Sequence, residues 1–246
     1  MNQNKTVYVL WSGGLDSTYL IYKLLKDDPT VKVVAGYIEI KNNQDKSIME
    51  KDRCQKLAEI FFKEYKYRFD YRGVVTTVDI LSVHAQKLKF NQVPIWIFGA
   101  IMSIPRDIDE VAISYVMNDD AISYLADIKN VWDTYAEFVY GKMPTLTFPL
   151  MKTKKEEIID ELPSEIKELV WWCETPKMKI VVDSEKLPTS FEPCGHCNSC
   201  DHSPIMKSVK RGIEYGVVGC KDQVSAAVCD IGLKQISKPV ETTQEK

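Results

Sequence analysis

The sequence lacks several features that would set it apart from ordinary globular proteins. No apolar run in its 246 residues approaches the roughly 20 residues of a membrane-spanning helix, so we expect no membrane span. The formal net charge is −3, and the missing basic excess argues against direct binding to nucleic acid. There is no internal repeat, and no signal peptide precedes the first apolar segment. We therefore expect a globular cytoplasmic protein.

A glycine pair near the N-terminus follows a strand-like segment. Val7–Trp11 is short, apolar and rich in β-forming residues, and Asp16–Lys26 carries apolar residues at helical spacing. Gly13 and Gly14 lie between them, where the absence of a Cβ lets main-chain N–H groups approach a ligand closely. Because a glycine turn before a helix gathers unpaired N–H groups at the positive end of the helix dipole, it predicts a pyrophosphate site. Nearby hydroxyl donors are Ser12, Ser17 and Thr18.

The segment Ser12–Thr18 contains no Gly-Lys-Ser/Thr and is therefore not a Walker loop. Ser-Gly-Gly-Leu-Asp-Ser-Thr after an opening strand resembles instead the PP-loop of the N-type ATP pyrophosphatases, the family of GMP synthetase, asparagine synthetase and tRNA thiolation enzymes. The resemblance implies that the loop binds the β- and γ-phosphates of ATP while a substrate oxygen attacks the α-phosphate. The implied ATP-binding residues are Leu10, Trp11, Ser12, Gly13, Gly14, Leu15, Asp16, Ser17 and Thr18.

Strand-like and helical segments alternate over most of the chain. Further strands are predicted at Val31–Ile40, Val74–Val78 and Val111–Met117, and further helices at Ser47–Tyr65, Ile80–Leu88, Val93–Ile104 and Asn130–Tyr140. This alternation predicts an α/β fold with a doubly wound, Rossmann-like parallel sheet. We expect an ATP-binding domain over residues 1–150 and a helical, metal-binding C-terminal region over residues 151–246.

Ligands of such sheets bind at the carboxyl ends of the strands. Ser12–Thr18, Glu39 and Asn118–Asp120 all follow or end predicted strands, so we expect them to converge on one rim.

Four of the seven cysteines form a pattern typical of a metal site. Cys194, Cys197 and Cys200 make two overlapping Cys-x-x-Cys units, and Cys173 lies upstream. In a reducing compartment, clustered thiols are metal ligands more often than disulfides. Four thiolates suit tetrahedral zinc, but an iron–sulfur cluster or a redox-active cysteine pair stays open. The other cysteines are expected to pack ordinarily: Cys54, Cys220 and Cys229.

The N-terminal loop and the Cys-Gly-His-Cys-x-x-Cys segment together resemble the 7-cyano-7-deazaguanine synthase family. Pro149–Met151, followed by Lys155, is similar to the start of a helix in that family. The resemblance implies that Lys155 approaches phosphate, that Asp119 follows the fourth strand, and that the four cysteines hold structural zinc. It further implies ATP and Mg²⁺, a 7-deazapurine substrate, ammonia, and the homodimer usual among relatives.

Three substrate-side segments depart from the family pattern. Ser123–Asp127 does not match Tyr-Pro-Asp-Cys-Arg, Pro94–Trp96 lacks an arginine, and His202-Ser203 replaces Leu-Arg. We therefore interpret the chain as a divergent relative that adenylates and amidates a carboxylate, releasing AMP and pyrophosphate. The substrate is 7-carboxy-7-deazaguanine, converted to the nitrile or only to the amide, or a different carboxylate.

Five residues are predicted to act in the reaction: Ser12, Asp16, Ser17, Asp119 and Lys155. Asp16 would bind Mg²⁺ or orient the loop, although an acid in a first helical turn also favours the helix dipole. Lys155 would neutralise phosphate charge or be a solvated helix lysine. Asp119 would contact Mg²⁺ or substrate, or would close a turn. Two other classes stay open: a tRNA thiolase or lysidine-type ligase, and a non-catalytic zinc-containing nucleotide-binding module.

Overall fold

The structure is a computed structural model that describes residues 5–41, 44–79, 92–105, 107–117, 119–140, 144–180, 189–197 and 199–200. The strands are β1 (Thr6–Leu10), β2 (Lys32–Lys41), β3 (Phe69–Asp79), β4 (Glu110–Ala112), β5 (Thr145–Thr147), β6 (Lys177–Ile180) and β7 (Thr189–Glu192). The helices are α1 (Leu15–Asp27), α2 (Gln44–Tyr65), α3 (Gln92–Ser103), α4 (Leu125–Tyr140), α5 (Lys155–Glu161) and α6 (Ser164–Lys167). Within these ranges, no helix has both the length and the apolar character that crossing a membrane requires.

Five strands form one parallel sheet in the order β3-β2-β1-β4-β5. Val7 of β1 pairs with Val33 of β2 on one side and with Glu110 of β4 on the other. The strand order reverses at β1, so the sheet opens a crevice beyond the carboxyl ends of β1 and β4. The predicted α/β fold with a doubly wound parallel sheet is confirmed.

Alternation along β1 divides the core into two layers. Val7 and Val9 belong to the apolar cluster that contains residues of α1, α2 and α5, whereas Tyr8 belongs to the cluster that contains residues of α3 and α4. Both faces of β1 are therefore buried, as a central parallel strand requires. Each large apolar side chain that is fully buried contributes about 1.5–3 kcal/mol relative to an exposed one. Packing on both faces therefore fixes the position of β1, and with it the start of the loop that follows.

Two strand predictions have inaccurate ends. β4 contains only Glu110–Ala112, because the chain then leaves the sheet and the Met117 N–H donates to the Thr153 carbonyl at 2.9 Å. β3 begins at Phe69, well before the predicted Val74, and continues to Asp79. The helix predicted over Ile80–Leu88 lies outside the described residues.

Residues beyond 150 also contribute to the first core layer. Ile158, Leu162, Ile166 and Val170 are buried in the same apolar cluster as Val7. The chain then passes through Trp171 and the antiparallel pair β6-β7 to the last described cysteines. The boundary at residue 150 stays a prediction, but the packing shows that α5 and α6 lie on the sheet.

Candidate functional site

The turn after β1 depends on a glycine at position 13. Gly13 has φ +69°, a conformation that residues with a Cβ rarely adopt. A Cβ at this position would lie 2.9 Å from the Cβ of Arg53 on α2, which is closer than packed carbon atoms allow. Gly14 follows with extended backbone as the N-cap of α1. The sequence therefore brings the turn into close contact with α2 and directs it at the start of a helix.

The carbonyl groups of the two glycines accept hydrogen bonds from the protein, whereas their amides have no partner among the described residues. The Trp171 N–H donates to the Gly13 carbonyl, and the Thr18 N–H donates to the Gly14 carbonyl, each at 3.0 Å. Across the described parts of the chain, neither the Gly13 nor the Gly14 amide donates to a protein acceptor. Unpaired amides at the positive end of a helix dipole suit an anion.

Two serine hydroxyls flank these amides. Ser12 is half-buried, and its Oγ lies 3.2 Å from the position that a Cβ on Gly14 would occupy. Ser17 is buried in the first turn of α1, and its hydroxyl donates to the Gly14 carbonyl at 3.4 Å, which is a long hydrogen bond. Both hydroxyls can rotate and therefore could donate to an anion at the turn.

Four other predicted ATP-binding residues pack in the core and support the loop from there. Thr18 is fully buried, and its hydroxyl accepts a hydrogen bond of 3.0 Å from the Trp11 indole N–H. Trp11 is 1% exposed and packs within the first core layer. Leu15 is buried in the same layer, whereas Leu10 packs against the second layer. These side chains hold the loop in place, and a ligand would meet its main chain.

Lys155 at the start of α5 joins two of the predicted rim segments. Its ammonium nitrogen lies 3.4 Å from a carboxylate oxygen of Asp16 and 3.4 Å from one of Asp119. The structure thus brings together the first turn of α1, the segment after β4 and the start of α5. Glu39 lies at the end of β2 as expected, but its carboxylate pairs with Lys51 at 2.7 Å and not with this group. Asn118 lies outside the described residues.

Asp119 serves the turn and the ion pair at once. One oxygen accepts the Val116 N–H at 2.9 Å, closing the turn after β4, and the other faces Lys155. The two roles considered for Asp119, closing a turn and belonging to the charged site, are therefore compatible, because each uses a different oxygen of the carboxylate.

The pKa of Asp16 is strongly perturbed. Burial raises its pKa from 3.8 to about 6, although the charge of Lys155 opposes the rise. One of its oxygens, Oδ1, is buried and has no hydrogen-bond partner in the described structure. Burial alone would lower the pKa of Lys155, but the carboxylates of Asp16 and Asp119 outweigh it and raise that pKa. The orphaned oxygen is a suitable ligand for a hard cation such as Mg²⁺.

The four predicted cysteines come together. Their sulfur atoms all lie within 4.8 Å of one another. The Cys194–Cys200 sulfurs are 3.9 Å apart and the Cys197–Cys173 sulfurs 4.0 Å apart. A tetrahedral zinc ion with Zn–S bonds of about 2.3 Å needs sulfur separations of about 3.8 Å. The donor set and its spacing therefore fit one tetrahedral ion.

Hydrogen bonds prepare one of these thiols as a ligand. Burial would raise the pKa of Cys194, but donors from Thr175, His196 and Cys197 outweigh it and lower the pKa to about 5. Burial raises the pKa of Cys173 to about 11. Since the thiolate is the form that binds metal, these hydrogen bonds favour the form of Cys194 that can act as a ligand. His196 itself is exposed.

Trp171 links the cysteines to the glycine loop. Its main chain pairs with Gly13 and Gly14 in a short parallel bridge. Its indole N–H donates to the Cys173 carbonyl at 2.9 Å. Sequence reasoning did not find this link, because main-chain pairing between distant segments leaves no residue pattern. It also did not find Arg53, whose guanidinium carbon lies 5.9 Å from the centre of the Trp171 ring.

No protein-family model matches the sequence, and no curated protein matches it. Among solved structures, the chain is similar to the U34-tRNA thiolase NcsA from Methanococcus maripaludis, solved with its [4Fe-4S] cluster. The TM-score is 0.44 at 15% identity, over 99% of this chain and 77% of that one.

Two further solved structures are similar at lower scores. One is described as a predicted subunit of tRNA methyltransferase from Methanocaldococcus jannaschii, with a TM-score of 0.40 and 10% identity over 75% of this chain and 82% of that one. The other is NMN synthetase from Francisella tularensis, with a TM-score of 0.32 and 16% identity over 67% of this chain and 68% of that one. Because these three TM-scores are below 0.5, function has to be inferred from the site.

Proposed function

We propose that this protein is an ATP-dependent enzyme of the N-type pyrophosphatase kind, which adenylates a carboxylate and releases pyrophosphate. The observation that carries the proposal is the pair of unpartnered glycine amides at the start of α1, beside an ammonium group held between two carboxylates. Amides and ammonium together suit a highly charged phosphate chain better than a neutral ligand. The position at the switch point of the sheet supports the same conclusion.

The chemistry needs charge stabilisation at the leaving group. A substrate carboxylate oxygen attacks the α-phosphorus of ATP, and the α–β phosphoanhydride bond breaks with its electron pair leaving on pyrophosphate. The chain would hold that charge with the amides of Gly13 and Gly14, the hydroxyls of Ser12 and Ser17, and the Lys155 ammonium. One fixed donor aimed at developing charge is typically worth about 3 kcal/mol.

A divalent cation fits the acidic side of this site. Asp16, through its orphaned oxygen, and Asp119 would hold Mg²⁺, which would neutralise phosphate charge when bound. Ammonia would then attack the acyl-adenylate, expelling AMP and leaving an amide. Conversion of the amide to a nitrile would need a second activation by ATP.

We propose that Zn²⁺ occupies the cysteine cluster in a structural role. The sulfur separations support one tetrahedral ion held by Cys173, Cys194, Cys197 and Cys200. Within the described part of the chain, the segment around them has few buried apolar residues of its own, so a metal ion would supply stability that packing there does not.

As the acceptor we propose 7-carboxy-7-deazaguanine, with ammonia as the nitrogen donor. The support is the resemblance of the loop, of Lys155 with the segment before it, and of the cysteine pattern to one family. The departures at Pro94–Trp96 and Ser123–Asp127 make the substrate-binding side the place where a different carboxylate would be accommodated.

The test is a product analysis with purified protein, ATP, Mg²⁺, ammonium and 7-carboxy-7-deazaguanine. We expect release of AMP and pyrophosphate that depends on the carboxylate, with an amide or nitrile seen by mass spectrometry. Release of ADP and phosphate would contradict adenylation. AMP release with unmodified tRNA but not with the deazapurine would keep the ATP chemistry and replace the acceptor.

A further inference from the structure

Arg53 is a cation beside the glycine loop to which the reaction above gives no role. Its Cβ lies 2.9 Å from where a Cβ on Gly13 would be, so α2 places the base of this side chain against the turn. The side chain is 21% exposed. Its Nε is buried and meets no hydrogen-bond acceptor in the parts of the chain that the structure describes. A buried donor without an acceptor destabilises a fold, and an anion bound beside Nε would remove that cost.

The positive charge of Arg53 is poorly compensated. The carboxylate of Asp52 lies 3.8 Å from Nε, too far for a hydrogen bond, and Asp52 is 40% exposed. That carboxylate also pairs more closely with Lys56, at 2.9 Å. Such partly exposed ion pairs contribute little to stability. The guanidinium therefore keeps most of its capacity to bind an anion.

Trp171 holds the guanidinium near the loop. The guanidinium carbon lies 5.9 Å from the centre of the Trp171 ring, within the range of a cation–π contact. The Trp171 main chain in turn donates to the Gly13 carbonyl at 3.0 Å. The cation, the aromatic ring and the turn thus form one connected group. A guanidinium restrained in this way loses less rotamer freedom when its planar fork meets phosphate oxygens.

We propose that Arg53 binds the pyrophosphate part of ATP beside Gly13, as a second cation in addition to Lys155. The proposal rests on the ATP-binding function proposed above. Its N–H groups would donate to phosphate oxygens that AMP does not possess. Arg53 would therefore determine the preference for ATP over AMP and would hold the pyrophosphate as it leaves.

The experiment is calorimetric titration of the full chain with ATP–Mg²⁺, inorganic pyrophosphate and AMP. Loss of a charge-assisted contact in Arg53→Ala should raise the Kd for ATP and for pyrophosphate roughly 10- to 100-fold, with little change for AMP. Arg53→Lys should recover part of the affinity, because it keeps the charge and loses the fork. Lys63→Ala is the matched control, because this exposed lysine lies on the same helix and makes no ion pair among the described contacts, and it should bind all three as the wild type does.

The outcomes separate this proposal from the function on which it rests. If the wild type binds ATP and Arg53→Ala binds it equally well, the role of Arg53 is overturned and the ATP site stands. An equal loss for AMP and ATP would also overturn it, because Arg53 would then contact the nucleoside side. If the wild type binds no ATP, both proposals fail. Should circular dichroism show that Arg53→Ala does not fold, Arg53→Gln takes its place under the same criteria.

Discussion

The glycine loop and the cysteine cluster are stabilised in opposite ways. The loop follows a strand that is buried on both faces and packs against Trp11, which is 1% exposed, so ordinary packing fixes its position. Its glycine amides stay unpaired among the described residues. Among the described residues, the buried apolar residues at the cysteine cluster are Met49, Trp171 and three of its own cysteines. Its sulfur atoms contact one another and accept hydrogen bonds from Thr175 and from main-chain N–H groups.

The comparison teaches that the two regions need ligands for different reasons. The loop is held by the core without a ligand and keeps its hydrogen-bonding groups for phosphate. As far as the described residues extend, the cluster packs against little apolar core of its own, and a metal ion would stabilise it. Trp171 connects the two, since it donates to the loop through its main chain and to Cys173 through its indole. The following predictions test that contrast.

The largest effect is expected at Lys155. Replacement by Ala removes the ammonium that would neutralise phosphate charge, so the rate of AMP release should fall roughly 100- to 1,000-fold. The bound metal, measured by atomic absorption, should not change. Lys154→Ala is the control, since this neighbouring exposed lysine makes no ion pair with Asp16 or Asp119 among the described contacts. If Lys155→Ala released AMP at the wild-type rate, Lys155 would have no role in the reaction, and the proposed contrast between the loop and the cysteine cluster would be contradicted.

A second prediction concerns the pH dependence of stability from Asp16. Its pKa is raised from 3.8 to about 6 in the folded protein, mainly by burial. The stability that Asp16 contributes in its protonated form is therefore fully present below pH 4 and is lost as the pH rises through 6. This loss lowers the free energy of unfolding by at most about 3 kcal/mol. Asp16→Asn should remove this loss, so its advantage over the wild type should grow between pH 4.5 and 7.5. Urea unfolding of both proteins at pH 4.5 and 7.5 measures this advantage. The same difference in the free energy of unfolding at both pH values would refute the prediction.

The left-handed glycines provide a third, smaller contrast. Gly13, Gly73 and Gly195 have φ +69°, +70° and +77°, but only at Gly13 would an added Cβ meet a described atom within 4 Å. Gly195→Ala should therefore cost only the strain of the left-handed conformation, about 1 kcal/mol. Gly13→Ala should cost about 2–3 kcal/mol, because Arg53 must also move. Chemical denaturation tests this. Gly73→Ala, with φ +70° and open space, should match Gly195→Ala, and equal costs at all three sites would contradict the close packing of the loop.

The smallest effect is expected from removing the metal. Stripping the cysteine cluster with a chelator should loosen Trp171 and weaken ATP binding about tenfold, within the usual range of coupling between sites. Adding Zn²⁺ back should restore the affinity, which controls for damage by the chelator. An unchanged Kd for ATP in stripped protein with intact helix content would show that the regions are independent.

Local spacing predicted much of the fold and part of the site. The strand, glycine turn and helix over Val7–Lys26 needed only short-range periodicity and turn chemistry, and they lie where expected. The cysteines come together as their spacing indicated. The convergence of Asp16 with Asp119 followed from the rule that parallel strands end at one rim.

Contacts between distant segments could not be predicted in this way. The pairing of Trp171 with Gly13 is a main-chain contact, and the position of Arg53 against Gly13 depends on how α2 packs. The face of α4 is a further case. Val131, Tyr135 and Phe138 share a face at helical spacing, yet Phe138 is 89% exposed while Trp132 is fully buried. Periodicity offered more than one apolar stripe, and packing selected the one that contains Trp132.

The most direct test of the central claim is a crystal structure of the protein with Mg²⁺ and an ATP analogue whose α–β bridge is a methylene group. We expect the β- and γ-phosphates to accept hydrogen bonds from the amides of Gly13 and Gly14, with the Lys155 ammonium in contact with a phosphate oxygen. A nucleotide bound elsewhere, with these amides facing only water, would contradict the account.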